Sequence, residues 1–103
     1  MAEKLVRDLI PQIIRDSGTE PVFRECVSEE EFKMSLLAKL QEEAAELKEA
    51  DTDENRAEEI ADVLEVIDAI SYFFGIKTED IERIKTKKFR EKGGFFCGYI
   101  KMD

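Results

Sequence analysis

The stretch LAKLQEEAAELKEA, residues 37–50, carries a carboxylate where an apolar side chain is due. Leu36, Leu40 and Leu47 recur at steps of four and seven, so they share one face of a helix. Glu43 falls on that same face between Leu40 and Leu47, and Glu46 follows one turn later. The arrangement returns further along the chain. Glu59 and Asp62, again spaced i, i+3, head a stripe that continues through Val66 and Phe73. Acids at this spacing are neighbours on a helix surface. Two consecutive helices joined by a short connection favour antiparallel packing, and four carboxylates then converge.

Four carboxylates do not share a dry core uncompensated, because burying one unpaired charge costs several kcal/mol or more. Protons or basic side chains can neutralise them, and so can a divalent metal. Oxygen-only ligands favour a hard cation, Mg²⁺ or Mn²⁺. The chain has no histidine, which removes the Glu-x-x-His pairs of a di-iron bundle, His-ligated zinc and His-based triads. Mg²⁺ held by carboxylates commonly also binds substrate phosphates. A lone ExxE pair is weak, since solvated acidic faces are common; two pairs on apolar stripes of consecutive helices are more specific.

The elements that must position these acids follow from caps and breakers. DLIPQIIRDSG predicts a short helix with Asp8 as cap, Pro11 in the first turn and Gly18 at the end. Ser28 and Glu31 form a capping box for a helix running to about Ala50, where DTDEN breaks it. A third helix is expected from about Arg56 to Phe74, and a fourth from a Thr78 cap to Gly93-Gly94. Residues 20–27 and 95–102 read as two short strands that pair as a ribbon. The expected fold is mainly α: a bundle of about four helices with a minor two-stranded β element, residues 1–103 forming one domain. The third helix carries two apolar stripes, Ile60-Leu64-Ile67 and Val66-Ile70-Phe73. One buried stripe serves a small monomer, so the second predicts a homodimer or higher homo-oligomer.

Charge narrows the partners. The net charge of −9 argues against a nucleic-acid surface. Residues 29–68 hold 15 acids and 4 bases, while residues 77–92 hold 7 bases and 4 acids. Such a chain can bind a polyanion if cations bridge acid and phosphate. No apolar run is long enough for a bilayer, no signal-peptide pattern opens the chain, and Cys26 and Cys97 lack metal or redox spacing. The expectation is a cytoplasmic protein with reduced cysteines and no membrane partner.

At Glu43-x-x-Glu46, 12 residues and Glu59-x-x-Asp62, the sequence resembles the E-x-x-E … E-x-x-D signature of MazG-like all-α nucleoside triphosphate pyrophosphohydrolases. The opening KLVRDLIPQII and the KGGF near the end resemble a small single-domain branch of that superfamily. The resemblance implies a helical dimer that hydrolyses a nucleoside triphosphate, including non-canonical or deoxy ones, to monophosphate and pyrophosphate. It implies Mg²⁺ ligands at Glu43, Glu46, Glu59 and Asp62. The general base is left open among the carboxylates; with no histidine, Glu46 or Glu43 is the natural choice. Lys4 and Arg7 sit in the opening motif and are expected, with Lys88, to contact phosphate. Lys85 and Lys92 share a face with Lys88 and Ile81, and for these two solvated heads on apolar stems are the plainer reading. Glu42 and Glu58 read as solvated helix surface, and Phe32, Tyr72, Phe73 and Phe74 as core. The rival readings are a phosphoribosyl-ATP-type pyrophosphatase and a non-enzymatic acidic helical module that binds a basic partner.

Overall fold

The computed structural model describes residues 3–102. Its four helices are α1 (Ile10–Asp16), α2 (Glu29–Glu49), α3 (Asp53–Phe73) and α4 (Thr78–Lys92). The Ser28 hydroxyl accepts the Glu31 N–H at 3.0 Å and starts α2. The Glu31 carboxylate reaches back to the Val27 N–H at 2.9 Å, one residue before the position a strict capping box uses. Thr52 caps α3 by accepting the Asn55 N–H at 3.1 Å. That cap starts α3 at Asp53, three residues before the expected Arg56, so Asp53 and Glu54 of DTDEN sit in the first turn and complement the helix dipole. The predicted Asp8 cap is not formed; Leu9 precedes α1 and makes no side-chain cap. Gly75 and Gly93, at φ +69° and +80°, supply the left-handed residues that follow α3 and α4.

Helix packing concentrates in the α2–α3 pair. Only Ala50, Asp51 and Thr52 separate the two helices. Phe32 near the start of α2 meets Phe73 at the end of α3 with ring centroids 4.6 Å apart, so the pair is antiparallel. The Val66-Ile70-Phe73 stripe of α3 is half-buried, while Ile60, Leu64 and Ile67 face solvent. Tyr72 and Phe74 are exposed as well, outside the core expected for them.

Two expectations are corrected. No strand forms among the described residues, so the two-stranded ribbon is not part of this fold. Residues 20–27 are tied down by a side chain instead. Arg24 holds Glu31 bidentately at 2.9 and 3.0 Å and Glu3 at 3.0 and 3.1 Å. Residues 95–102 stand exposed with no strand beside them, so their period-two pattern has no sheet to stabilise it. The second correction is that helix packing concentrates in α2 and α3, so the four helices do not close into a bundle within the chain. Leu36 is the one apolar side chain fully buried among the described residues, at 4% exposure. The Cα radius of gyration is 17.4 Å, against about 13 Å for a self-contained chain of this length.

Candidate metal centre

The α2–α3 hairpin turns the predicted spacing into a cluster. Ligand atoms of Glu43, Glu59 and Asp62 lie within 4.8 Å of one another, and so do those of Glu42, Glu43 and Glu46. Glu43 belongs to both groups. It is buried to 5% exposure, where the leucine periodicity of α2 required an apolar residue. Glu59 and Asp62 are half-buried, and Glu46 is exposed at the open side. All four predicted metal ligands are thus brought together.

Charge is only partly balanced. Arg7 donates to Asp62 at 2.7 Å, and Lys4 to Glu42 at 3.3 Å. Both come from the segment preceding α1, which Arg24 anchors through Glu3. Lys39, one turn before Glu43, places its ammonium 3.1 Å from Glu43 and 3.2 Å from Glu42. Burial disfavours that ammonium, but the two carboxylates outweigh it and hold Lys39 above the usual lysine range. Oε2 of Glu43 and Oε2 of Glu59 are buried and receive no N–H or O–H donor. Two carboxylates so placed have nothing to share unless a proton or a cation enters. Burial pushes the Glu59 carboxyl up to about 7, and hydrogen bonding to Glu43 with the charges of Glu46 and Glu43 adds to it. The acid form of Glu59 then supplies the donor that the charged pair lacks.

These donors suit a hard divalent ion. They are oxygens only, one is deeply buried, and two buried oxygens are orphaned. Beside them opens a cavity of about 550 Å³, within the 300–1,000 Å³ typical of small-molecule sites. Glu43, Asp62, Lys39, Arg7 and Lys4 line its polar side. Phe32, Leu36, Val66, Ala69 and Phe73 line the other, so Phe32 and Phe73 are wall as well as core.

Lys4 and Arg7 are brought to the site, and Lys88 is not. It is exposed on α4 and does not line this cavity. Glu58 is exposed, as read from the sequence. Glu42 is not the solvated surface expected: it is half-buried and held by two lysines. Sequence reasoning missed Lys39. The signal was available, because a lysine four residues before a core-facing glutamate shares that glutamate's face.

Residues 6–88 match the family of phosphoribosyl-ATP pyrophosphohydrolase. The chain belongs to that family. It lies within the MazG-like all-α superfamily of nucleoside triphosphate pyrophosphohydrolases, whose members act on a nucleotide and are typically metal-dependent. The four carboxylates fall within the matched residues, as does most of the cavity lining, Lys4 and Leu5 excepted. An uncharacterized protein of Mycolicibacterium smegmatis is 55% identical over 49 residues, which make up 48% of this chain and 49% of that relative. The chain therefore aligns with about half of that protein's length. No solved structure matches. Among the described residues, no helix is long and apolar enough to cross a membrane.

Proposed function

We propose that this protein hydrolyses a nucleoside triphosphate, canonical or not, to the monophosphate and pyrophosphate, in a house-cleaning role. The observation that carries the reading is the buried Glu43 carboxylate, with Oε2 orphaned, facing Glu59 and Asp62 across the hairpin. A stable fold tolerates such a group when something not supplied by the chain completes it. Glu43, Glu46, Glu59 and Asp62 would hold Mg²⁺ or Mn²⁺. When bound, the ion supplies charge neutralisation for phosphoryl oxygens and acidity for a coordinated water.

The chain's own groups do the rest. Glu46, exposed beside the cluster, would take the proton from water, since Glu43 is enclosed and already engaged by Lys39. Arg7 spends one terminal nitrogen on Asp62; its other N–H groups suit a phosphate oxygen. Lys4 is the second cation on the same segment. The apolar wall at Phe32 and Phe73 suits the flat face of a base. Lys88 is left out of these contacts because α4 does not reach the cavity. A homodimer formed through the exposed Ile60-Leu64-Ile67 stripe completes the reading, as does a cytoplasmic setting for a chain whose two cysteines are free.

The test is a panel of ribo- and deoxynucleoside triphosphates, with phosphoribosyl-ATP, assayed with and without Mg²⁺. Phosphorus NMR should identify monophosphate and pyrophosphate as products. Orthophosphate with diphosphate would refute the cleavage site. The family match favours one second reading, phosphoribosyl-ATP as sole substrate, and turnover of that compound alone would establish it. No turnover of any compound would leave an acidic helical module that binds a basic partner.

A further inference from the structure

The acidic cluster has two ends, and they are balanced differently. At the α2 end, Glu42, Glu43 and Glu46 bring ligand atoms within 4.8 Å of one another. That end already contains a cation. The Lys39 ammonium sits 3.2 Å from Glu42 and 3.1 Å from Glu43, and Lys4 adds a second contact to the same Glu42 oxygen at 3.3 Å. The Lys39 side chain is only 17% exposed. It rises from the same helix as its partners, so its position is fixed by the backbone. At the interhelical end, Glu43, Glu59 and Asp62 converge equally closely. Two oxygens there are buried with no donor, and beyond the Lys39 contact to Oε1 of Glu43 the cation at this end is Arg7 on Asp62, from an irregular segment and more than half exposed.

We infer that Lys39 is a resident cation that takes the place of a metal ion at the Glu42–Glu43 end, so that each chain loads a single divalent ion, at the Glu43–Glu59–Asp62 end. The inference rests on the metal-site reading above. An ammonium and a divalent ion about 4 Å apart repel strongly in a half-buried site, and an ion at this end would have to displace Lys39 from the Glu42 and Glu43 oxygens it contacts. Glu43 then serves both neighbours: one oxygen holds Lys39, and the other, orphaned one is available to the ion. Arg7 does not compete in the same way, because it touches one Asp62 oxygen and its exposed side chain can turn toward a phosphate.

Counting ions tests this without any turnover. Mn²⁺ titrated into the protein, with the free-ion electron paramagnetic resonance signal as readout, should show one ion per chain. Lys39→Met keeps the stem and removes the charge, and Lys39→Gln is a second neutral variant. Each should bind two ions per chain, with spin coupling between them at saturation. Lys39→Arg, which keeps the charge, should remain at one. Circular dichroism checks that each variant is folded. Two ions on the unaltered chain would overturn the inference, as would one ion on both neutral variants. No ion on the unaltered chain would overturn the metal-site reading as well, so the two failures are distinguishable.

Discussion

Leu64→Glu should dissociate this protein into monomers. The accessible surface is 9332 Å². A self-contained 11.9 kDa protein exposes about 5,900 Å², so roughly 3,400 Å² is surplus. A standard interface takes about 800 Å² from each partner, so the surplus is ample for a dimer. Leu64 lies mid-stripe between Ile60 and Ile67 and is 57% exposed. Complete burial of a leucine contributes about 1.5–3 kcal/mol; covering the exposed half contributes about 1 kcal/mol. A symmetric interface presents the same patch twice, so the substitution removes about 2 kcal/mol of apolar burial per dimer. Stripping water from two introduced carboxylates costs at least as much again. The total of about 4 kcal/mol corresponds to a thousandfold weaker dimer. Sedimentation equilibrium over a wide concentration range reads this directly. The unaltered chain should sediment at twice 11.9 kDa, and the variant should be monomeric or dissociate at far higher concentration. An unaltered chain that is monomeric at high concentration would refute the reasoning. So would a Leu64→Glu dimer as tight as the original, which would move the interface elsewhere.

Mg²⁺ at a hundred times its dissociation constant should add about 2.7 kcal/mol of stability, or roughly 10–20 °C in Tm for a chain of this size; Glu43→Gln should abolish that shift in a thermal melt. Glu46→Ala and Asp62→Ala should each lower kcat at least a hundredfold with helical circular dichroism unchanged, since Glu46 is exposed and Asp62 half-buried. Arg7→Ala should raise KM more than it lowers kcat if the guanidinium holds phosphate in the ground state, which steady-state kinetics would separate. Hydrogen bonding to Arg24 and to the Val27 N–H holds the Glu31 carboxyl down at about 2. Its folded value lies below its unfolded one, so its contribution is present above about pH 4.5 and lost as pH falls toward 2. Acid unfolding of Arg24→Gln should consequently show a weaker pH dependence in that window than the unaltered chain.

What was legible in the sequence was whatever depends on local spacing. Glu43, Glu46, Glu59 and Asp62 could be placed because a helix of 3.6 residues per turn converts i, i+3 into adjacency, and Ala50–Thr52 is too short for anything but a hairpin. Ser28 announces the start of α2 by the same local chemistry, whereas the Thr52 cap was read as part of a breaker and α3 starts three residues earlier than expected. Matters decided by distant pairing were less legible. The pattern of residues 95–102 resembles a strand, yet a strand requires a partner, and residues 20–27 are claimed by the Arg24–Glu31–Glu3 cluster. The two stripes of α3 were not told apart: Val66 and Phe73 line the cavity, and the outward stripe is Ile60-Leu64-Ile67. Periodicity shows that two stripes exist; it does not say which one the partner helix covers.

The same hairpin explains why the site costs stability and why the chain keeps it. Leu36 and Glu43 are the two fully buried residues of α2, seven apart on one face. An apolar residue at 43 would extend the small core by one layer and remove an uncompensated oxygen. Glutamate there leaves the α2–α3 contact dependent on three partial remedies: Lys39 on one side, Arg7 on Asp62, and the raised proton affinity of Glu59 between them. Each is incomplete. Lys39 reaches Oε1 of Glu43 and leaves Oε2 without a donor. Arg7 is half in solvent and attached to a segment with no helix of its own. A purely structural ion-pair network would close on itself, as Arg24 does with Glu3 and Glu31. One that stops short at two buried oxygens, beside a cavity of about 550 Å³, supports the proposal that a charge from outside completes it.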